Sequence, residues 1–211
     1  MSRASSSGVV VLTGPSGSGK SRVAERSGLP VVRLDDFYRD GDDPALPMTV
    51  FGDTEIVDWD DVGSWDMLAA CDALEQLCTT GTVDVPVYDI ASSRRTGTRT
   101  LTLGDATTVA AEGLFAHAVV AELARRGLLA DAICVRHHRM VTFVLRLVRD
   151  LREKRKPLPV LLRRGWHLMR EEPAVVAEAV EHGCRPMTPR RAERHVAVVV
   201  AATRDRRPRD V

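Results

Sequence analysis

The sequence predicts an α/β fold: a parallel sheet of about five strands with helices on both faces. Two observations predict it. Val9 to Leu12, Val31 to Leu34, Thr107 to Ala111 and Ala132 to Val135 are short runs dominated by apolar residues. Such runs suit strands buried on both faces. Segments with helical periodicity lie between them, and strands alternating with helices imply a parallel sheet. The chain of 211 residues is long enough for one domain with a sizeable core, or one domain with a mobile subdomain.

The elements follow in order. After the strand at Val9 to Leu12, a helix is expected over Ser18 to Ser27, stopped near Gly28. The strand Val31 to Leu34 runs directly into Asp35-Asp36-Phe37-Tyr38. Asp40 to Val62 is rich in Asp, Gly and Pro and reads as loop. Trp65 to Thr80 carries apolar residues on one helical face, and Gly81 ends it. Val83 to Tyr88 and Arg99 to Leu103 read as a β-hairpin. The strand Thr107 to Ala111 ends at Glu112-Gly113. A helix over Leu114 to Arg126 and the strand Ala132 to Val135 follow. Val141 to Arg155 is a basic helix, interrupted by Pro157 and Pro159, with a further helix over Val160 to His182. Val196 to Ala201 reads as a last strand. Residues 1–7 and 204–211 are expected to be disordered around one domain at 8–203.

Composition narrows the function classes. The net charge is +1, so no bulk field points to nucleic acid or a membrane surface. No apolar stretch approaches the roughly 18 residues of a membrane span. The polar start, MSRASSSG, lacks a signal peptide's apolar segment, and a cytoplasmic protein is expected. Cys71, Cys78, Cys134 and Cys184 show no zinc spacing, and buried thiols in a reducing compartment fit them. Asp35 to Asp66 holds eleven acidic residues and one basic, Arg39. Arg136 to Arg170 holds eleven basic residues and two acidic, Asp150 and Glu153. That division suits an enzyme handling hydroxyls and metal on one side and phosphates on the other. Two solvated surfaces are the competing reading.

The densest signal is Gly14-Pro15-Ser16-Gly17-Ser18-Gly19-Lys20-Ser21, directly after the first strand. It fits the phosphate-binding P-loop pattern G-x-x-x-x-G-K-[ST] in full. Glycines let the loop curl so that successive N–H groups face the same anion. Lys20 can reach the outer phosphates and the Ser21 hydroxyl can ligate Mg2+. A helix N-terminus favours the same negative charge. The chain is therefore expected to have the P-loop NTPase fold and to use ATP, or GTP, with Mg2+.

Further candidates surround that loop. Asp35 stands at the end of a strand, where side chains face the ligand crevice. A carboxylate there can take a proton from an attacking hydroxyl and help hold Mg2+. Asp36 is its rival, and strand alternation sends the two to different faces. Glu112 ends an apolar strand, the usual place of a metal-side acid in P-loop proteins. Arg146 and Arg149, in a run with Arg152, Lys154, Arg155 and Lys156, share a helical face. Guanidinium groups suit the charge spread over a transferred phosphoryl group, and a mobile basic helix could close as a lid. His137 and His138 are read as surface residues. Trp59, Trp65 and Trp166 are read as packing groups.

The ordered set of P-loop, LDDFY, DWDDVGSWD, VPVYD with Arg94-Arg95, AEGLF and RLVRDLREK resembles the uridine–cytidine kinases. Phosphoribulokinase and pantothenate kinase are more distant relatives of that family. The resemblance covers roughly residues 8–156. It implies Asp35 as catalytic aspartate and Tyr38 as part of the nucleoside pocket. It implies Asp60, between Asp58 and Asp61, on the ribose hydroxyls, and Tyr88 near the pyrimidine. It implies Glu112 on the metal side, Arg146 and Arg149 as lid arginines, and Lys154 and Lys156 at further lid positions. Members are often oligomeric, so a homo-oligomer is one expectation. Two places depart: the family commonly has a base-contacting histidine where this chain has Ser93, and it tends to be acidic where this chain has Arg136-His137-His138-Arg139.

The expected activity is transfer of the γ-phosphoryl group to the 5′-hydroxyl of uridine or cytidine. Arg149 would also contact the substrate. The substrate hairpin would span about 81–104 and the lid about 146–165. A kinase for another hydroxylated small molecule, such as a modified nucleoside, is the alternative that Ser93 raises. A nucleotide-binding regulator without acceptor is the second.

Overall fold

The computed structural model describes residues 7–51, 53–137, 139–152, 170 and 172–205. In chain order its elements are β1 (Gly8–Thr13), α1 (Lys20–Arg26), β2 (Val31–Arg33), β3 (Met48–Phe51), β4 (Thr54–Val57), α2 (Met67–Thr80) and β5 (Thr82–Asp89). They continue with β6 (Arg94–Thr102), β7 (Thr108–Glu112), α3 (Val120–Arg125), β8 (Leu129–Val135), α4 (Arg139–Arg152), α5 (172–181), β9 (Arg185–Met187) and α6 (Pro189–Asp205).

One parallel five-stranded sheet has the order β2-β7-β1-β8-β9. The chain leaves β1 toward β2 on one side and leaves β7 toward β8 on the other. Strand order thus reverses around β1 and β7, and the crevice outside their carboxyl ends is where open α/β sheets bind ligands. Alternation along the strands fills two cores. Val9, Val11, Val109 and Ala111 face the layer of α2, α3 and α5. Val10, Leu12, Ala110 and Ile133 face Val23 of α1 and Ala192 and Val196 of α6. This two-sided burial is why these strands are apolar without a break.

Local signals set the helix ends. Asp66 caps α2 by accepting the Ala69 N–H at 3.0 Å, and Gly81 ends it at φ 80°. Leu114 to Arg126 is a 3-10 turn over Ala116–Val119 followed by the short α3. All four cysteines are free and buried, and burial pushes the Cys71 thiol up to about 11. No helix among the described residues is long and apolar enough to cross a membrane.

Two expectations are corrected. Val196 to Ala201 belongs to helix α6, not to a strand. Its β-branched run mimics a buried strand, yet Ala192, Val196, Val199 and Val200 pack on one helical face while Val198 is 64% exposed. Pro189 opens that helix, a position that suits proline. The fifth strand is β9 instead, pairing with the edge of β8. The segment Asp40 to Val62 is not all loop: β3 and β4 pair antiparallel within it. The Gly52-Asp53 pair in the sequence is a hairpin signal that the surrounding acidic residues and prolines masked. The second hairpin, β5 and β6, is longer than expected, reaching Asp89 and starting again at Arg94.

Candidate active site

Gly14, Gly17 and Gly19 have φ of 139°, 81° and 91°. A Cβ on Gly14 would lie 2.2 Å from the Val135 carbonyl oxygen at the end of β8. The loop is thus pressed against the sheet where only glycine fits. Ser18 N–H donates to the Pro15 carbonyl at 3.0 Å. The Ser18 hydroxyl is buried and has no hydrogen-bond partner among the described residues. Such orphans are costly and call for a ligand or water. The glycine cradle and the unpaired hydroxyl fit an anion such as a phosphate.

Lys20 opens α1 and is only 9% exposed. The Ser21 hydroxyl donates to Glu112 Oε2 at 3.0 Å. Glu112 ends β7 and lies in register with Leu12 of β1 and Arg33 of β2. Burial raises its pKa; the Lys20 charge opposes this and the Asp35 charge adds to it. The ends of three neighbouring strands therefore place Lys20, Ser21, Glu112 and Asp35 within electrostatic reach of one another. Among the described residues no three His, Cys, Asp or Glu side chains form a metal cluster. Ser21 and Glu112 offer two oxygens to Mg2+, which commonly keeps waters and takes phosphate oxygens for the rest.

Asp35 sits in the 3-10 turn Leu34–Phe37 after β2. Its Oδ1 accepts the Leu114 N–H at 2.8 Å, just past the end of β7. A Cβ on Gly113 would fall 2.8 Å from that oxygen and 2.9 Å from Leu34 Cβ. Gly113 is the residue that lets β2 and β7 bring their acids together. Asp36 turns elsewhere: its Oδ1 accepts the Tyr88 N–H of β5 at 3.4 Å. Its pKa is raised by burial, against Tyr88 N–H, Arg33 and Arg99.

Beyond Asp35 the crevice wall is aromatic. The Tyr38 ring meets Trp59 edge-on at 5.9 Å, Tyr88 at 5.7 Å and Phe115 at 6.0 Å. Burial, with the charges of Asp35 and Asp60, pushes the Tyr38 phenol up. Asp60 is exposed, and its N–H is held by Asp58 Oδ1 at 3.1 Å. The Tyr88 hydroxyl donates to the Arg39 carbonyl at 3.2 Å. Its phenol is raised by burial, and the nearby Ser93 hydroxyl opposes that. Ser93, at φ 51°, is the one non-glycine residue with positive φ among the described residues. Its carbonyl accepts the Gly41 N–H at 2.7 Å. A cavity of about 620 Å3 opens between the β3–β4 hairpin and the tip of β5–β6, walled by Met48, Ile56, Trp59, Ser92, Ser93 and Arg94; Asp35, Tyr38, Tyr88 and the phosphate loop do not line it.

The site thus gathers the phosphate loop with Asp35 and Glu112, and beside it Tyr38, Asp60 and Tyr88. Arg146 and Arg149 lie on α4, whose backbone starts shortly after β8; their side chains, and residues 153–169 with Lys154, Lys156 and Trp166, lie outside the described residues. Trp65 is a packing group, 3% exposed, with its indole N–H on the Leu34 carbonyl at 2.6 Å. Trp59 is more than packing, because it walls the cavity. Two contacts escaped the sequence reading: Asp36 with Tyr88, and Arg95, whose Nε donates to the Tyr38 carbonyl at 3.2 Å. The Asp35-Asp36 and Arg94-Arg95 doublets were their only signal.

No family profile and no curated protein matches the chain. Solved structures do. A candidate fructose transport system kinase from Silicibacter sp. TM1040 aligns at TM-score 0.55 and 17% identity, covering 83% of this chain and 87% of that one. A candidate uridine kinase from Bacillus stearothermophilus aligns at TM-score 0.42 and 18% identity, covering 67% and 77%. The chain has the P-loop NTPase fold. At this identity the likeness speaks for the fold alone.

Proposed function

We propose that the chain is a phosphotransferase that moves the γ-phosphoryl group of ATP, or GTP, to a hydroxyl of a small molecule. The observation that carries this is the convergence of Lys20, Ser21, Asp35 and Glu112 at the ends of three adjacent strands. The description of the Silicibacter structure as a candidate kinase agrees with it.

The loop N–H groups and Lys20 bind the phosphates in this scheme. Ser21 and Glu112 would hold Mg2+, directly or through water, and bound there it would supply positive charge against the phosphates. Asp35 has one oxygen fixed by Leu114 N–H, which leaves the other for the acceptor. That carboxylate takes the hydroxyl proton as the acceptor oxygen attacks phosphorus. The bond to the bridging oxygen breaks and the nucleoside diphosphate leaves with the electron pair. Lys20 and the lid arginines, Arg146 and Arg149, stabilise the phosphoryl charge. No covalent enzyme intermediate is needed.

The first acceptor is the 5′-hydroxyl of uridine or cytidine. Tyr38, Asp60 and Tyr88 would place the sugar and base, and Arg149 would also contact the substrate. A second reading keeps the chemistry and changes the acceptor to another hydroxylated small molecule, such as a modified nucleoside. Ser93 favours it, because a hydroxyl at that place cannot stack on a base. ATP consumption with Mg2+, measured with and without uridine, cytidine and a panel of nucleosides and sugars, tests both. Stimulation by uridine or cytidine supports the first reading, and stimulation only by another compound supports the second. Nucleotide binding that no acceptor stimulates would reject both and leave a nucleotide-binding regulator.

A further inference from the structure

We propose that Asp36, the neighbour of the catalytic candidate, is a positioning residue that sets acceptor affinity by holding Tyr88 in the wall of the crevice. This rests on the phosphotransferase reading, and it goes beyond it by assigning the second acid of the Asp35-Asp36 pair.

The argument begins in the hairpin. The β5–β6 register shifts between Val87 and Tyr88. Val87 pairs with Gly97 and Tyr88 with Arg95, so Thr96 of β6 is the residue taken out of the ladder. Beside this shift the Tyr88 N–H is bonded outside the hairpin: Asp36 Oδ1 accepts it, across 52 positions of chain, at 3.4 Å. The carboxylate is half-buried, with Arg33 and Arg99 as the cations and Asp35 as the other acid acting on it. It is thus clamped between the strand end and the hairpin rather than turned into the crevice.

Tyr88 is the residue through which this contact acts. Its ring packs on Tyr38 at 5.7 Å, and its hydroxyl reaches back to the Arg39 carbonyl at 3.2 Å. The same stretch of chain is tied to the hairpin at further points, among them an ion pair of Arg94 with Asp42 at 2.8 Å and three more hydrogen bonds. Arg95 N–H donates to Asp40 Oδ1 at 2.7 Å, Arg95 Nε donates to the Tyr38 carbonyl at 3.2 Å, and Gly41 N–H donates to the Ser93 carbonyl at 2.7 Å. These three lie toward the exposed tip. Asp36 is the contact nearest the chemistry, one residue from Asp35. Losing it frees the Tyr88 end of the wall while leaving the phosphate loop, Glu112 and the Asp35–Leu114 bond intact. The expected consequence is weaker acceptor binding with little change in the chemical step.

The test uses the full chain and three forms: wild type, Asp36→Ala and Asp36→Asn. Asparagine keeps a carbonyl acceptor for the Tyr88 N–H, so it should rescue. In the ligand-free protein, exchange of the Tyr88 amide with deuterated water, followed by NMR, should be at least about tenfold faster in Asp36→Ala and near wild type in Asp36→Asn. With the acceptor found in the panel above, KM for the acceptor should rise about tenfold in Asp36→Ala. The value of kcat and KM for ATP should stay within about twofold. Unchanged Tyr88 protection in Asp36→Ala overturns the proposal. So does a fall in kcat with the acceptor KM unchanged, which would make Asp36 and not Asp35 the base. If no acceptor stimulates the wild-type protein, the phosphotransferase reading fails. In that case the exchange measurement alone decides whether Asp36 holds the hairpin.

Discussion

Lys20 and Glu112, on the phosphate side of the crevice, are 9% and 6% exposed; Lys20 opens α1 and Glu112 ends the buried strand β7. Across from them, Trp59, Tyr88 and Ser93 sit on or beside hairpins outside the main sheet. The first group is positioned by the sheet register, which two apolar cores enforce from both faces. The second is positioned by a few hydrogen bonds and ring contacts between β5–β6 and the chain after Asp35. A sheet register cannot slip without turning buried side chains out to solvent. A hairpin contact can be exchanged at the cost of about one hydrogen bond. The phosphate side should therefore tolerate little change, and the acceptor side should be where specificity is tuned.

The largest effects should come from breaking the phosphate side. Lys20→Ala should abolish ATP turnover and weaken nucleotide binding. Asp35→Asn should keep nucleotide binding but lower kcat by at least about a hundredfold, the usual scale for a positioned base. Steady-state kinetics with nucleotide titration separates the two. If Asp35→Asn keeps near-normal kcat, the two sides do not meet at Asp35.

A smaller effect is expected where the sides are joined. Gly113→Ala places a Cβ 2.8 Å from Asp35 Oδ1 and 2.9 Å from Leu34 Cβ. Neither neighbour can retreat freely, since Leu34 is 1% exposed and Asp35 is bonded to Leu114 N–H. The carboxylate should shift by a few tenths of an ångström or more. We expect kcat to fall by roughly ten- to a hundredfold with nucleotide affinity kept. An unchanged kcat would show that the Asp35 position is not critical.

These particular residues also show how far the sequence could be read. Strands β1, β2, β7 and β8 were legible because each is apolar on both faces, and the phosphate loop was legible because its chemistry is contiguous. Asp35 and Glu112 were legible as strand-end acids, since strand ends in such sheets converge. The β3–β4 hairpin was not, because its strands are short and exposed and carry no burial pattern. Helix α6 was misread because Val-rich runs serve strands and buried helix faces alike. The Asp36–Tyr88 contact joins residues 52 positions apart, a pairing that composition does not encode.

Glu112 offers a pH test of the phosphate side. Burial raises its native pKa above the unfolded value. Between those two values the native state binds more protons than the unfolded chain, so stability falls as pH rises through that window. Glu112→Gln removes the buried charge and keeps an acceptor for Ser21. It should flatten this part of the Tm–pH profile of the ligand-free protein and raise Tm near neutral pH. Parallel profiles for wild type and variant would mean that Glu112 is better solvated than its 6% exposure implies.

Ser93 should give the smallest effect on stability and the sharpest view of the acceptor side. At φ 51° a non-glycine residue is strained by about 1–2 kcal/mol. Ser93→Gly relieves that strain but adds freedom to the unfolded chain and removes the hydroxyl near Tyr88. These terms oppose one another, so the net change should stay within about 1 kcal/mol, or roughly 2–4 °C in Tm. Ser93→His is the more telling change. Histidine is among the residues that accept positive φ most readily, and it supplies the ring that the uridine–cytidine kinases, the family the sequence resembles, commonly carry there. If the acceptor side alone sets specificity, Ser93→His should shift relative kcat/KM toward uridine and cytidine by several-fold, with KM for ATP unchanged. A shift in the ATP term instead would mean that the hairpin tip and the phosphate loop are coupled, and that the two sides of the crevice are not independent.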